Sequence, residues 1–249
     1  MIITIKSPSE IASMKKAGAI VRDTLLFAEE KIRPGMTTKF LDTMIYDFIT
    51  RHGAKPSFLN YHGYPGSACI SPDDVVVHGL PSDDVVIEEG MIVSVDVGAI
   101  IDGYHGDAAR TFLIGDVSEE KKQLVEVTRQ SFFEAIKVVR DGVRLGDIGH
   151  AVYEHATHYG YGVVREMVGH GIGRNMHEPP DVPNYGEKGH GLKMSAGMTI
   201  AIEPMINMGT HKILFSKDGW TVRTADGKPS AHYENTILIT KEGAEILTL

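Results

Sequence analysis

Two aspartates that lie close together in apolar sequence are the first candidates for chemistry. Asp96 lies in GMIVSVDVG, residues 90–98, and Asp107 lies in the segment GDAARTFLIG that follows. Strict alternation of residue types places Asp96 on one face of a strand and a row of valines on the other. A carboxylate in the middle of an apolar strand needs a partner, because acidic side chains are rarely buried alone.

The dipeptide Asp102-Gly103 predicts a two-residue hairpin turn between the aspartates, because both turn positions must accept a positive φ. With this turn, Asp96 lies opposite Ala109, and Asp107 lies opposite Gly98. The two carboxylates are then diagonal neighbours on one sheet face, roughly 7–8 Å apart at the backbone. Two anions this close in a buried sheet require a proton or a cation. The two aspartates alone fit two interpretations, a metal site or a pair of solvated carboxylates on an edge hairpin.

The segment around Asp96 recurs later in the chain. GMIVSVD at residues 90–96 matches GMTIAIE at residues 197–203, which aligns Asp96 with Glu203. Such self-similarity decides the fold, and a repeat of this length indicates duplicated halves rather than a solenoid. Each half then ends an equivalent strand with an acid.

The chain therefore divides into two related halves, roughly residues 8–115 and 118–249, each a helix pair followed by strands. No flexible linker separates them, so we expect a single α+β domain over residues 1–249. The predicted helices run from Ser7 to Pro34, from Thr38 to His52, from Ser118 to Val138 and from Leu145 to Tyr159, and the clearest strands are residues 75–78 and 233–240.

Composition limits the classes of partner and compartment. The net charge of −8 and the lack of a lysine or arginine run exclude a nucleic-acid backbone as the expected partner. Cys69 is the single cysteine, which excludes an internal disulfide and fits a reducing compartment. The first ten residues have no signal-peptide pattern, and no membrane span is predicted. We therefore expect a cytoplasmic protein, and a monomer.

Further candidates for chemistry are His170 in VGHGIG, His177 in MHEPP, Glu203 and Glu234. Taken one at a time, these residues fit a turn, a loop cap or a solvent-facing strand position. A nucleotide-binding glycine loop is excluded because no long helix follows the glycines. Taken together with both aspartates, they form a carboxylate-rich set with one imidazole, which suits Mn, Fe or Co and, less specifically, Zn. Two carboxylates can bridge two ions.

At this point the motifs resemble the type I methionine aminopeptidases, which have the pita-bread fold. The resemblance runs from Ile3 to Leu249. It is carried by VVVHG around His78, SVDVG with Asp96, GDAARTF with Asp107, GHGIGR with His170, MHEPPDVPNYG with His177, IEPM with Glu203 and SAHYEN with Glu234.

The resemblance implies a centre of two divalent metal ions, Co, Mn, Fe or Zn. Asp96 would chelate one ion, Asp107 and Glu234 would bridge, and His170 with Glu203 would complete the other. The centre would activate water for hydrolysis of the bond after an N-terminal methionine. The substrates would be nascent proteins and peptides with a small second residue, some of them met at the ribosome.

By the same resemblance, Glu203 would also be a proton shuttle, and His78 and His177 would hydrogen-bond the substrate carbonyl. The predicted methionine pocket consists of Phe58, Tyr61, Tyr64, Cys69, His78, Met176, His177 and Trp220. Each could instead belong to the ordinary core, and for Phe58 and Tyr64 the two interpretations have equal weight.

Three positions depart from the family pattern. Met176 stands where many relatives have phenylalanine, His232 replaces a glutamine, and Asn235 stands where histidine is common. The last two flank Glu234, so they leave the ligands intact but affect the groups around that carboxylate.

Two alternative functions fit parts of the same pattern. An Xaa-Pro peptidase shares the five ligands but has an additional N-terminal domain. The few residues before the first predicted helix are too short a stretch for such a domain. A binding module that lost its metals would show substituted ligand positions, and none of the five is substituted. The short stretch between His177 and Glu203 lacks the long insertion of type II enzymes, and no cysteine-rich extension is present, so the short bacterial-like form is expected.

Overall fold

The computed structural model describes residues 3–249, so the first two residues of the predicted domain lie outside it. This part of the chain forms the helices α1 (Pro8–Lys31), α2 (Thr38–Arg51), α3 (Glu119–Val138) and α4 (Leu145–His158), with a short 3-10 helix at Tyr61–Gly63. The strands are β1 (Lys55–Pro56), β2 (Ala68–Pro72), β3 (Val75–Val77), β4 (Ile92–Ile101), β5 (Tyr104–Leu113), β6 (Gly162–Val163), β7 (Gly169–Gly171), β8 (Glu178–Val182), β9 (Thr199–Ile202), β10 (Met205–Asn207), β11 (Ile213–Phe215), β12 (Val222–Thr224), β13 (Ser230–His232), β14 (Asn235–Ile239) and β15 (Ala244–Ile246).

Helix α1 begins as its sequence predicts. The Ser7 hydroxyl accepts a hydrogen bond from the backbone N–H of Glu10, and the Glu10 carboxylate accepts one from the Ser7 backbone. This reciprocal capping box satisfies two backbone donors that the helix itself leaves free. At α3 the Ser118 hydroxyl accepts a hydrogen bond from the backbone N–H of Lys121, without the reciprocal bond of a capping box.

The sequence repeat has a counterpart in the backbone. Helices α2 and α4 start and end at equivalent residues of the repeat. Gly35 donates its N–H to the carbonyl of Ile87 at 2.8 Å, and the equivalent Gly142 donates to Met194 at 2.9 Å. The two halves of the repeat therefore fold with the same local contacts. The organisation into one catalytic domain stays a prediction.

Two larger antiparallel sheets carry the candidate residues. The first contains β1, β4, β2 and β5, with β5 paired to β4, and the second has the order β15-β14-β9-β7-β8. In the β4–β5 hairpin, Asp96 pairs with Ala109 and Asp107 with Gly98. The predicted turn and register are confirmed. Smaller sheets have the orders β13-β10-β6 and β11-β12-β3.

Helix α1 packs directly on β5, next to Asp107. A Cβ atom at Gly106 would lie 2.9 Å from the backbone nitrogen of Gly18 in α1. The absence of a side chain at Gly106 therefore lets the backbone of β5 approach the backbone of α1 this closely. The neighbouring Asp107 therefore lies on a strand that is packed directly against α1.

Two predicted strands have different bounds in the structure. The strand predicted at residues 75–78 ends at Val77, because His78 has a φ of 57° and leaves the extended conformation. The strand predicted at residues 233–240 begins only at Asn235. At Glu234 the chain changes partners, because its N–H donates to the carbonyl of Ala109 in the other sheet.

Apolar side chains form one large cluster in each half and two smaller clusters that contain residues of both halves. One of the smaller clusters consists of Met14, Phe58, Tyr64, Cys69, Tyr104, Ile172, Met176, Leu238 and Leu247. Several predicted pocket residues belong to it, so the candidate site lies where the two halves meet. Within residues 3–249, no helix combines the length and apolarity that a membrane crossing requires.

Candidate metal centre and active site

The five residues expected as metal ligands converge between the two larger sheets. Asp96 and Asp107 come from the β4–β5 hairpin, His170 from β7, Glu203 from the end of β9 and Glu234 from the start of β14. The Nε2 atom of His170 lies 3.6 Å from Asp107 Oδ2 and 3.6 Å from Glu203 Oε1. One ligand atom from each of Asp107, His170 and Glu234 lies within 4.8 Å of the others.

The carboxylates of this cluster are not satisfied by the protein. Asp96 Oδ1, Asp107 Oδ1 and Glu234 Oε1 are buried and have no hydrogen-bond partner among residues 3–249. Burial raises the pKa of Asp107 to about 8. Burial and the charge of Asp107 raise the pKa values of Asp96, Glu203 and Glu234 well above the usual range. Buried, unpaired acceptors are costly, and divalent cations would remove this cost. The donor set therefore fits metal ions.

The tautomer of His170 also fits a metal. Its Nδ1 lies 2.8 Å from the carbonyl oxygen of Gly171. A carbonyl only accepts, so Nδ1 carries the proton and Nε2 presents its lone pair to Asp107 and Glu203. Burial lowers the pKa of His170 to about 4, which keeps the ring neutral at neutral pH. A lone pair that faces two carboxylates is stabilised by a cation between them. A backbone carbonyl is also a common hydrogen-bond partner of a histidine that binds a metal.

His232 belongs to this cluster too, although the sequence suggested only a departure from the family pattern. One ligand atom from each of Asp96, His232 and Glu234 lies within 4.8 Å of the others. The available signal was its spacing from Glu234, since residues two apart in an extended segment point to the same side.

A cavity of about 140 Å³ opens directly onto the cluster. Its walls contain all the predicted pocket residues, which are Phe58, Tyr61, Tyr64, Cys69, His78, Met176, His177 and Trp220. His62, which the sequence did not single out, also lines it. A larger cavity of about 640 Å³ lies between α3 and α4, away from these groups, and its lining contains none of them.

Two histidines at the cavity are positioned as neutral hydrogen-bonding groups. His177 Nδ1 shares a hydrogen bond of 2.9 Å with the Tyr61 hydroxyl, and the His177 and His170 rings are 4.1 Å apart. Burial and His170 lower the pKa of His177 to about 4. Burial and His177 lower the pKa of His78 to about 4. Both rings are therefore uncharged at neutral pH.

Asn184 is a supporting residue that the sequence did not identify. Its side-chain amide donates a hydrogen bond of 2.9 Å to the backbone carbonyl of Glu203. Asn184 is buried, so this contact fixes the point at which Glu203 leaves β9. The residue lies in the motif MHEPPDVPNYG, but a contact to another segment cannot be read from a motif.

The whole arrangement agrees with a comparison against known families. Residues 12–241 match the model of metallopeptidase family M24. The chain belongs to metallopeptidase family M24. As a member of this family it is a hydrolase that uses divalent metal ions. The cluster of acids and histidines described above is the candidate centre for them.

Individual M24 relatives match over full length. A methionine aminopeptidase of Clostridium acetobutylicum is 51% identical, and the match covers 100% of this chain and 99% of the relative. The crystal structure of methionine aminopeptidase from Rickettsia prowazekii has a TM-score of 0.98 at 44% identity, with 100% of both chains covered. The predicted pita-bread fold is confirmed.

A prolidase is a more distant M24 neighbour. The prolidase from Pyrococcus furiosus has a TM-score of 0.81 at 26% identity. The match covers 98% of this chain but 65% of the prolidase. The two proteins therefore share the domain described here, and the prolidase has additional sequence.

Proposed function

We propose that this M24 metallopeptidase removes the N-terminal methionine from nascent proteins and peptides that have a small second residue. The observation that carries the proposal is the cavity of about 140 Å³ that opens onto the acid and histidine cluster. Aromatic residues and the two sulfur-containing residues Cys69 and Met176 line it. An unbranched thioether side chain makes favourable contacts with such walls.

The size of the cavity supports an exopeptidase. Pockets for larger ligands occupy roughly 300–1,000 Å³. The smaller cavity holds one side chain and not a stretch of polypeptide, so the first residue of a chain is the part that fits. The bond after that residue then lies beside the cluster. Bulk in the second residue would meet the rim, where Tyr61, His62 and His177 lie.

Two divalent ions would be held by the five predicted ligands. Asp107, His170, Glu203 and Glu234 would surround one ion, and Asp96 would hold the second with Asp107 and Glu234 shared. Mn, Fe, Co and Zn all suit a carboxylate-rich set that contains an imidazole. When bound, such ions lower the pKa of a water molecule and polarise a carbonyl group.

Glu203 is placed to carry a proton, since it is more exposed than Asp107 and Glu234. Its side chain is 13% exposed, whereas those of Asp107 and Glu234 are 4% and 2% exposed. Its carboxylate lies beside His170 Nε2, and Asn184 holds its backbone. It would take a proton from the attacking water and deliver it to the leaving amine.

His177 and His78 would stabilise the substrate carbonyl as it becomes an oxyanion. When the Tyr61 hydroxyl donates to His177 Nδ1, the neutral ring carries its proton on Nε2. That N–H is then free to donate to the carbonyl oxygen. A preorganised donor contributes more as the negative charge develops than it does in the ground state.

We infer that residues 1–249 act as one catalytic domain built from halves at about 8–115 and 118–249, and as a monomer. The proposed setting is the cytoplasm, with chains that emerge from the ribosome among the substrates. The buried free thiol of Cys69 supports a reducing compartment.

The rates of hydrolysis of three peptides test the proposed function. We expect metal-loaded protein to release methionine from Met-Ala-Ser, to act at least tenfold more slowly on Met-Leu-Ser, and to leave Leu-Pro intact. Hydrolysis of Leu-Pro without hydrolysis of Met-Ala-Ser would favour an Xaa-Pro peptidase. Binding of the peptides without cleavage would favour a non-catalytic module.

A further inference from the structure

His232 faces the metal-centre carboxylates, although the five implied ligands do not include it. Its side chain is 2% exposed, and its Nε2 atom has no hydrogen-bond partner within the described part of the chain. Nε2 lies 3.6 Å from Glu234 Oε2 and 4.0 Å from Glu203 Oε2. Both distances are too long for a direct hydrogen bond. A buried imidazole nitrogen thus points at two carboxylates without a protein partner.

The backbone aims this ring at the site and leaves it little freedom. The N–H of His232 donates to Thr111 Oγ1 at 2.9 Å, and the same hydroxyl donates to its carbonyl at 2.9 Å. On the other side, His232 pairs with Met205 through β13 and β10. The ring direction is therefore set by strand pairing and by a side chain of the first half.

Alternation along the chain places His232 and Glu234 on the same side. Tyr233 between them points away, where its ring lies 5.4 Å from that of Phe132 in α3. In an extended segment, residues two apart share a face. His232 and Glu234 therefore enter the cluster together, as one unit of the segment SAHYEN.

We propose that His232 is a sixth ligand and binds the ion that Asp96 and Glu234 hold. One ligand atom from each of these three residues lies within 4.8 Å of the others. Without His232, the side chains at that ion supply only oxygen. An imidazole favours zinc and iron, whereas carboxylates suit manganese. His232 therefore shifts this half of the centre towards the borderline ions. The inference rests on the proposed metal centre, but not on the identity of the peptide substrate.

Counting coordinated imidazoles tests the proposal directly. In protein loaded with two equivalents of Co(II), each coordinated histidine keeps one exchangeable ring N–H, whose proton resonance the paramagnetic ion shifts strongly. We expect two such resonances in the wild type, from His170 and His232, and one in His232→Gln. A single resonance in the wild type would overturn the proposal. No shifted resonance and no bound cobalt would overturn the metal centre itself.

A matched control is available on α4. His155 also has a buried Nε2 without a partner within residues 3–249, but it lies outside the cluster. His155→Gln makes the same chemical change, and we expect it to keep both shifted resonances. Loss of a resonance in this variant would show that the signal does not report ligation at the centre.

Metal affinity gives an independent readout. By equilibrium competition, we expect His232→Gln to lose more than about tenfold in zinc affinity at one site, and less than about threefold in manganese affinity, because imidazole suits zinc and carboxylates suit manganese. Equal losses for both metals would mean that the ring only shapes the cavity, which contradicts ligation. Should the variant fail to fold, the wild-type resonance count still decides the question.

Discussion

Asp107 and Thr236 hold each other by two reciprocal hydrogen bonds across the halves of the chain. The N–H of Asp107 donates to Thr236 Oγ1 at 3.0 Å, and the same hydroxyl donates to the Asp107 carbonyl at 2.9 Å. Asp107 belongs to β5 and Thr236 to β14, and Thr236 is fully buried. One hydroxyl therefore fixes the backbone of the proposed bridging ligand to the opposite sheet.

Replacing this hydroxyl should destabilise the join between the halves. Thr236→Val leaves the N–H and C=O of Asp107 without partners, at about 1–3 kcal/mol for each buried group. We expect urea unfolding of metal-free protein to show a loss of about 2–6 kcal/mol in the free energy of unfolding. Thr236→Ser keeps the hydroxyl and removes one methyl group, for about 1 kcal/mol. Equal losses in the two variants would contradict the role given to the hydroxyl.

Glu203→Gln should separate metal binding from turnover. The amide keeps an oxygen that can contact an ion, but it cannot accept a proton from water. We expect kcat to fall about 100- to 10,000-fold while dialysed protein retains at least one metal ion. Metal analysis and steady-state rates on Met-Ala-Ser measure both quantities. A metal-loaded variant with a rate within tenfold of wild type would remove Glu203 as proton carrier.

His177→Ala should lower kcat more than it raises KM. The proposed hydrogen bond to the substrate oxygen strengthens as the oxyanion forms, so its loss appears mainly in kcat. We expect a decrease of roughly 100-fold or more, with KM changed by less than about threefold. Tyr61→Phe keeps the ring but loses the hydroxyl at His177 Nδ1, so a smaller decrease is expected. An unchanged kcat in His177→Ala would exclude it from the mechanism.

The contact between Glu10 and Tyr104 should make stability depend on acid pH. The Tyr104 hydroxyl donates to Glu10 at 2.6 Å, and this bond, with those from Ser7, lowers the pKa of Glu10 from 4.5 to about 2. A carboxyl whose pKa falls on folding stabilises the native state above its unfolded pKa. That contribution is lost as the pH falls from 4.5 towards 2.

Comparison with Tyr104→Phe isolates this contribution. The variant should be less stable than wild type at about pH 6, and the difference should be smaller at about pH 3, because the contribution of the ionised Glu10 carboxylate is lost between pH 4.5 and about 2. Metal-free protein is used for both, since acid also releases metal ions. A difference that is the same at both pH values would contradict the coupling.

Local patterns predicted the elements on which the centre is built. The turn at Asp102-Gly103 gave the pairing of Asp96 with Ala109, because turn geometry sets hairpin register. The capping box at Ser7 gave the start of α1. These features depend on neighbours in sequence, so a single chain is enough to predict them.

Features that depend on contacts between distant segments were not predicted. The spacing of His232 from Glu234 was a signal that both face one side, but the contacts of Thr111 and Met205 that hold the His232 backbone leave no signal near residue 232. The start of β14 was misplaced at Tyr233 because the chain exchanges one sheet for another there. Asn184 supports Glu203 across the same kind of long-range contact.

Release of free methionine from Met-Ala-Ser by metal-stripped protein tests the central claim most directly. Mn, Fe, Co and Zn are titrated under anaerobic conditions, with Asp107→Asn as the control that lacks a bridging charge. We predict no turnover without metal, turnover on addition of metal, and loss of turnover in Asp107→Asn. Silence of the folded wild type with every metal, or methionine release by stripped Asp107→Asn at the wild-type rate, would contradict the account.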